Sequence, residues 1–196
     1  MSIPVDARNV SVGTPKVGGA IFFAPLTKKA PLPTDANTAP DTKLVSLGYA
    51  ASEGLKRAIQ KAYEKIKAWG GTEVKRPRTE ITVDISFTLI ESRRADVAKA
   101  VFGEDAVTVT PRSATAGEKV AIVYKGQDGP EGTWVFDMQD GDGMLRIVIP
   151  RAAQTTESFE QSYTDNELIA YPMNLTVYPD ENGAYFLQYS DDGRKE

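Results

Sequence analysis

The chain contains no cysteine and no histidine. Disulfides are excluded, and so are zinc sites of the usual ligand set and nucleophiles built on either residue. The missing histidine also removes the commonest general base near neutral pH. No apolar run approaches the roughly 18 residues that a membrane-spanning helix needs. Met1 to Val12 has neither an apolar stretch nor a leading basic cluster, so no signal peptide is expected, and the sequons at Asn9 and Asn174 are expected to carry no sugar. Basic charge is not in excess either. With 23 Lys and Arg against 27 Asp and Glu, the net charge of −4 argues against a grip on nucleic acid.

What remains is an ordinary globular composition, 41% apolar and 26% charged over 196 residues. The length fits one domain, 1–196, with an N-terminal arm (1–16), a long loop (26–42) and a short charged C-terminal tail (190–196). Gly18 to Pro25 reads as a strand closed by proline, and Leu44 to Tyr49 as another. Between them, prolines at 31, 33 and 40 with Asp35, Asn37 and Asp41 leave no period, so a long exposed loop is expected. Such a loop either binds a partner or is a mobile insertion.

Leu55, Ile59, Ala62, Tyr63, Ile66 and Trp69 recur at three- and four-residue spacing, and pattern alone says helix from about Leu55 to Ala68. The cleanest segment follows. From Thr79 to Ile90, Ile81, Val83, Ile85, Phe87 and Leu89 fall on one face, and Glu80, Thr82, Asp84, Ser86 and Thr88 on the other. That alternation describes a strand with one buried and one wet face. Ser92 is placed to cap a helix carrying Asp96 early, Val97, Ala100 and Val101 as its apolar stripe, and Gly103 as its stop.

Strands are expected at 107–110, 119–124, 133–138 and 144–149, the last two joined as a hairpin by Gln139 to Gly143. Residues 154–164 read as an outer strand. Ile169 to Val177 alternates again, and Asp180 to Gly183 turns the chain into a final strand from Ala184 to Tyr189. The fold class is mainly β (α+β): an antiparallel β-sandwich or barrel with one flanking α-helix, two if Leu55 to Ala68 is helical.

No constellation reads as a catalytic or metal site. In Asp140-Gly141-Asp142-Gly143, an EF-hand register puts Met138 at position one and Ile149 at twelve, so a plain hairpin turn is the better reading. Lys75-Arg76-Pro77-Arg78 is the dense basic patch. It lacks interleaved aromatics and reads as a solvated turn or an inter-subunit salt contact rather than a phosphate grip. Glu80 and Asp84, four residues apart on one strand, are separated by about 13 Å and cannot work as an acid–base pair. Trp69 before Gly70-Gly71 reads as a packed aromatic, and Trp134, in phase with Phe136 and Met138, as core. No cofactor is expected.

A set of segments in fixed order carries a resemblance: Leu47-Gly48-Tyr49, Glu53-Gly54, Ile66 to Gly71, Phe87 to Glu91, Val97 to Gly103, Ala170-Tyr171-Pro172 and Val177 to Asp180. Together they span most of residues 10–190 and resemble the major tail tube proteins of long-tailed bacteriophages, especially those infecting actinobacteria. The resemblance implies a tail-tube-like fold and a structural, non-enzymatic virion protein. It implies hexameric rings that stack into the conduit for DNA ejection. The implied partners are further copies of itself, the tape measure protein, the tail tip and tail terminator proteins, and passing DNA held without sequence-specific contacts, with no membrane. The implied location is the virion tail, and the host cytoplasm during assembly.

It also implies extended chain around Ala62 to Trp69, against the helical stripe. Its candidate lumen-facing residues are Glu80, Thr82, Asp84 and Ser86. Its candidate ring-stacking loop is Leu26 to Thr42, with Lys28, Lys29, Asp35, Asn37 and Asp41, and deleting residues 28–40 is expected to leave folding intact but to block stacking. Rival readings are a β-rich binding module for a receptor or carbohydrate, which would show an exposed aromatic cluster, and a bacterial secretion-tube protein of the same fold.

Overall fold

The alternation of Ile81 to Leu89 organises the structure. In the computed structural model, which describes Asp6 and residues 9–17, 19–155 and 160–194, these side chains line one face of a 12-residue strand over a shared core. The strands in chain order are β1 (Thr14–Pro15), β2 (Ile21–Pro25), β3 (Val45–Ser46), β4 (Lys56–Tyr63), β5 (Ile66–Lys67), β6 (Glu73–Lys75) and β7 (Arg78–Leu89). Helix α1 (Ala95–Phe102) follows. Then come β8 (Val107–Thr110), β9 (Lys119–Ile122), β10 (Gly132–Asp140), β11 (Gly143–Gln154), β12 (Tyr171–Val177) and β13 (Leu187–Asp191).

Nine strands form one sheet, in which β3-β2-β10-β11-β12-β7-β4 is the main path, β1 joins β10 and β13 joins β11. Every pairing is antiparallel. β11 forks: its first half pairs with β13 and its end with β12. The sheet curls over itself at that fork, so that Phe87 on β7 meets Trp134 and Phe136 on β10, with ring centroids 5.5 Å and 5.3 Å apart. The result is mainly β with antiparallel sheets and one helix, consistent with a β-sandwich and a flanking helix. At the β10 bulge, a Cβ on Gly132 would lie 2.2 Å from the Phe23 ring, so only glycine lets the strand pass there.

Helix α1 closes one side of the core with Val97, Ala100 and Val101, while Ala98 packs on Ala106 and Val107. Gly103, at φ 90, ends it as expected, donating its N–H to the Lys99 carbonyl. Ser92 is not the cap. A turn in which the Arg94 N–H donates to the Glu91 carbonyl at 3.0 Å delays the helix, and the N-cap position falls on Arg94 without a side-chain cap.

Further expectations change. Residues 56–63 and 66–67 are strands, not helix. Every side chain of β4 is exposed, so a helical apolar stripe there has no surface to cover, whereas β7 offers a ladder from Lys56↔Ser86 to Tyr63↔Arg78. Register irregularities at Ala62/Tyr63 and Ile66/Lys67 break period two and leave a spacing that mimics a helix. The extended backbone implied by the family resemblance is the one found.

The last strand runs to Asp191, beyond Tyr189 and into the expected tail. Of the outer strand expected over 154–164, Gln154 ends β11, residues 156–159 lie outside the described residues, and 160–164 are not strand. Parts of the expected arm (1–5, 7 and 8) and tail (195 and 196) also lie outside them. Within the arm, β1 pairs with β10, and the Val12 N–H donates to the Asp140 carboxylate at 2.8 Å.

The loop 26–42 is not a free excursion. It opens with a 3-10 turn, Leu26–Lys28, and then covers the outward faces of β2, β10 and β11, where Ala30 and Leu32 pack on Ala24, Leu44, Val135 and Val148. Beneath it, Arg146 is fully buried and grips Asp137 through two hydrogen bonds, 2.6 Å from Nε and 2.7 Å from Nη2. Its Nη1 donates to the loop carbonyls of Asp35 and Thr38 at 2.9 Å and 2.7 Å.

Candidate functional site

The surfaces available for function are built from β4, β7 and the segment between them. Beyond Tyr63 the two strands continue as an arm. The Glu64 N–H donates to the Pro77 carbonyl at 3.0 Å, β5 pairs with β6, and the tip closes where the Ala68 N–H meets the Thr72 carbonyl at 2.8 Å. Gly70 and Gly71, at φ 101 and 90, make this turn possible. At about 3.3 Å per residue, the tip lies roughly 20 Å beyond Tyr63.

The arm is exposed throughout. Ile59, Tyr63, Ile66 and Val74 are 45% to 60% exposed, and Trp69 is fully exposed, not packed as its place before two glycines suggested. β4 is the last strand of the sheet path, so its outer row of backbone donors and acceptors has no strand partner among the described residues. A long flat edge in an isolated chain invites pairing with another chain.

The wet face of β7 is continuous with its neighbours. Lys56, Ala58, Gln60 and Ala62 of β4 sit directly opposite Ser86, Asp84, Thr82 and Glu80, and Asn174 and Thr176 of β12 oppose Ser86 and Asp84. Opposed residues share a face, so this wall is polar, with Glu80 and Asp84 as its acidic groups and Lys56 opposite Ser86 as a basic one. The Thr176 hydroxyl donates to Asp84 at 3.0 Å and the Thr82 hydroxyl to Glu80 at 3.3 Å. The two carboxylates keep separate partners. The structure brings Glu80, Thr82, Asp84 and Ser86 together on one face, as the alternation requires.

The loop residues singled out from sequence scatter. Lys28 pairs with Glu104 at 2.6 Å. Lys29, left-handed at φ 45, ends the 3-10 turn. Asp41 accepts the Lys43 N–H at 2.9 Å, and the Asn37 amide donates to Asp191. Asp35 accepts from the Thr38 N–H, the Thr38 hydroxyl and the Asn37 N–H, at 2.6 Å, 2.8 Å and 2.8 Å. Those bonds, Thr38's first, hold its carboxyl below its ordinary value of 3.8, with Arg146 adding a smaller push in the same direction.

In the arm, Arg76 and Lys65 share Glu73 at 3.8 Å and 3.9 Å. Sequence reasoning missed the arm as a surface. The signal was there: Lys75 to Arg78 and the Trp69-Gly70-Gly71 turn lie in one hairpin.

An edge strand, an exposed arm and a polar wall make a surface suited to assembly. A family model described as phage tail tube protein matches residues 9–194. The chain belongs to that family. It is a structural protein of the bacteriophage tail, and its location is the virion tail. Membership of the tail tube family implies a non-enzymatic role and self-assembly into a tube. No curated protein matches the chain. Among the described residues, no helix is long and apolar enough to cross a membrane.

Proposed function

We propose that copies of this chain close into hexameric rings and that the rings stack into the conduit through which DNA leaves the phage. The observation that carries this reading is the unpaired edge and exposed arm of β4 to β7 in a member of the tail tube family. In a ring, that edge gains a neighbour's strand and its apolar side chains lose water. The wall bearing Glu80, Thr82, Asp84 and Ser86 faces the lumen in this reading. Its acidic groups, Glu80 and Asp84, repel the DNA backbone and outnumber the one lysine, Lys56, that lies opposite Ser86 on the same wall.

Loop 26–42, with Lys28, Lys29 and Asn37 exposed and Asp35 and Asp41 half-buried, contributes to contacts between rings. Assembly takes place in the host cytoplasm, and the tape measure, tail tip and tail terminator proteins meet the tube inside and at its ends.

Negative-stain electron microscopy of the purified protein tests the reading. Rings or tubes are expected. Monodisperse monomers at high concentration, with no assembly after addition of tail-tip components, would overturn it.

A further inference from the structure

Charge is divided unevenly along this chain. From Lys56 to Arg78 there are eight basic and two acidic residues, which leaves fifteen basic and twenty-five acidic residues for the rest. Within that stretch the arm proper, Glu64 to Pro77, carries four basic and two acidic residues, so it is net cationic on an anionic body. At its tip, Lys67 and Lys75 have no ion pair among the described residues, and the exposed Ile66, Trp69 and Val74 surround them.

A groove of about 1040 Å³ lies between the 3-10 turn Leu26–Lys28 and the C-terminal end of α1. Phe23, Leu47 and Phe102 contribute apolar lining. Five carboxylates line it against three lysines. Glu104 is held by Lys28, Glu131 by Arg151 and Asp96 by Arg94, but Asp105 and Asp128 have no ion pair among the described residues. The groove thus matches the arm tip in both its apolar and its ionic character.

Topology places the two at opposite poles. β7 is antiparallel to β12 and β12 to β11, so β7 and β11 run the same way. The arm leaves the N-terminal end of β7. The groove lies at the C-terminal end of β11, where Ala152 and Pro25 flank Gly132 and the chain from β7 enters α1. A donor at one pole and an acceptor at the other make a head-to-tail contact that propagates along an axis instead of closing on itself.

We propose that the arm tip, Ile66 to Lys75, seats in this groove on a second copy of the chain, with Trp69 against the apolar lining and Lys67 and Lys75 beside Asp105 and Asp128. The inference rests on the tube reading and assigns its axial contact.

The natural absence of cysteine allows a direct test on the full chain. Lys67→Cys and Asp105→Cys in one chain should give, on mild oxidation of assembled protein, a ladder of covalent multimers. The two single variants mixed should give dimers only. Trp69→Ala should raise the concentration needed for tubes about tenfold, as expected for a buried aromatic anchor, with an unchanged unfolding curve showing that the subunit still folds. Tubes that form with no ladder, and at unchanged concentration for Trp69→Ala, overturn the groove assignment and leave the tube reading standing. Cross-linking of Lys67→Cys alone, arm to arm, overturns it equally. Wild-type protein that stays monomeric under every condition overturns both.

Discussion

Arg146 and Asp137 lie directly opposite each other on β11 and β10, and the guanidinium grips the carboxylate at 2.6 Å and 2.7 Å with both side chains buried. The pair sits on the outward face of the sheet, where an ion pair would ordinarily meet water. It is dry because the loop 26–42 lies over it and supplies two carbonyl acceptors to the same guanidinium. Truncating either partner strands a buried charge, a loss of about 3–5 kcal/mol. Arg146→Ala and Asp137→Ala are each expected to lower the denaturant midpoint by that equivalent, measured by circular dichroism. The double variant should lose less than the sum, because the two side chains form one unit.

Deleting residues 28–40 is now expected to destabilise the subunit rather than leave it folded. The deletion removes Ala30 and Leu32 from the cover over Val135 and Val148, and it takes both carbonyls from Arg146. A lower thermal midpoint and increased binding of a hydrophobic dye are expected. Wild-type stability in the deletion variant would show that the cover is dispensable.

Acid should loosen the same cover. The carboxyl of Asp35 titrates below 3.8 in the folded protein, so its contribution is complete above that value and is lost as pH falls through its lowered folded value. Asp35→Ala should therefore be less stable than wild type at neutral pH. The difference should shrink as pH falls below 3.8. A difference independent of pH would show that the hydrogen bonds to Thr38 and Asn37 do not depend on the carboxylate charge.

Trp134 is wholly buried between Phe23 and Phe87, yet its indole N–H has no hydrogen-bond partner among the described residues. Removing that donor recovers part of what the smaller ring loses in packing. Trp134→Phe should cost clearly less than Trp134→Ala, for which about 3–5 kcal/mol is expected. Equal losses in urea unfolding would mean that the phenyl ring restores neither the packing nor the cost of the unpartnered donor.

If the β7 wall faces the lumen, reversing its charge should alter what passes and not what assembles. Glu80→Lys with Asp84→Lys should still form tubes by electron microscopy, yet retain short duplex DNA at low salt where wild-type tubes do not. Failure to assemble would place these residues in a subunit contact instead.

Much of the architecture was legible before any coordinates. Period two over Ile81 to Leu89 specifies a half-buried strand because one slip would carry every apolar side chain into water. The turn of Gly141 and Asp142 specifies the β10–β11 hairpin, since Gly141 takes a left-handed φ of 58 between Asp140 and Gly143. The polar wall follows from the same alternation. Trp134 was legible as core by its phase with Phe136.

The segment Lys56 to Trp69 was not legible from pattern, because nothing there is buried in the subunit and an unburied strand has no reason to alternate. Its conformation was decided by the ladder that β7 offers. Nor could sequence locate Arg146 beneath the loop, 111 residues from the Asp35 carbonyl it reaches. Local pattern determines which face of a strand seeks burial. Only the tertiary structure decides which distant backbone arrives to cover the other face, because that contact depends on the curl of the sheet and on no spacing within the chain.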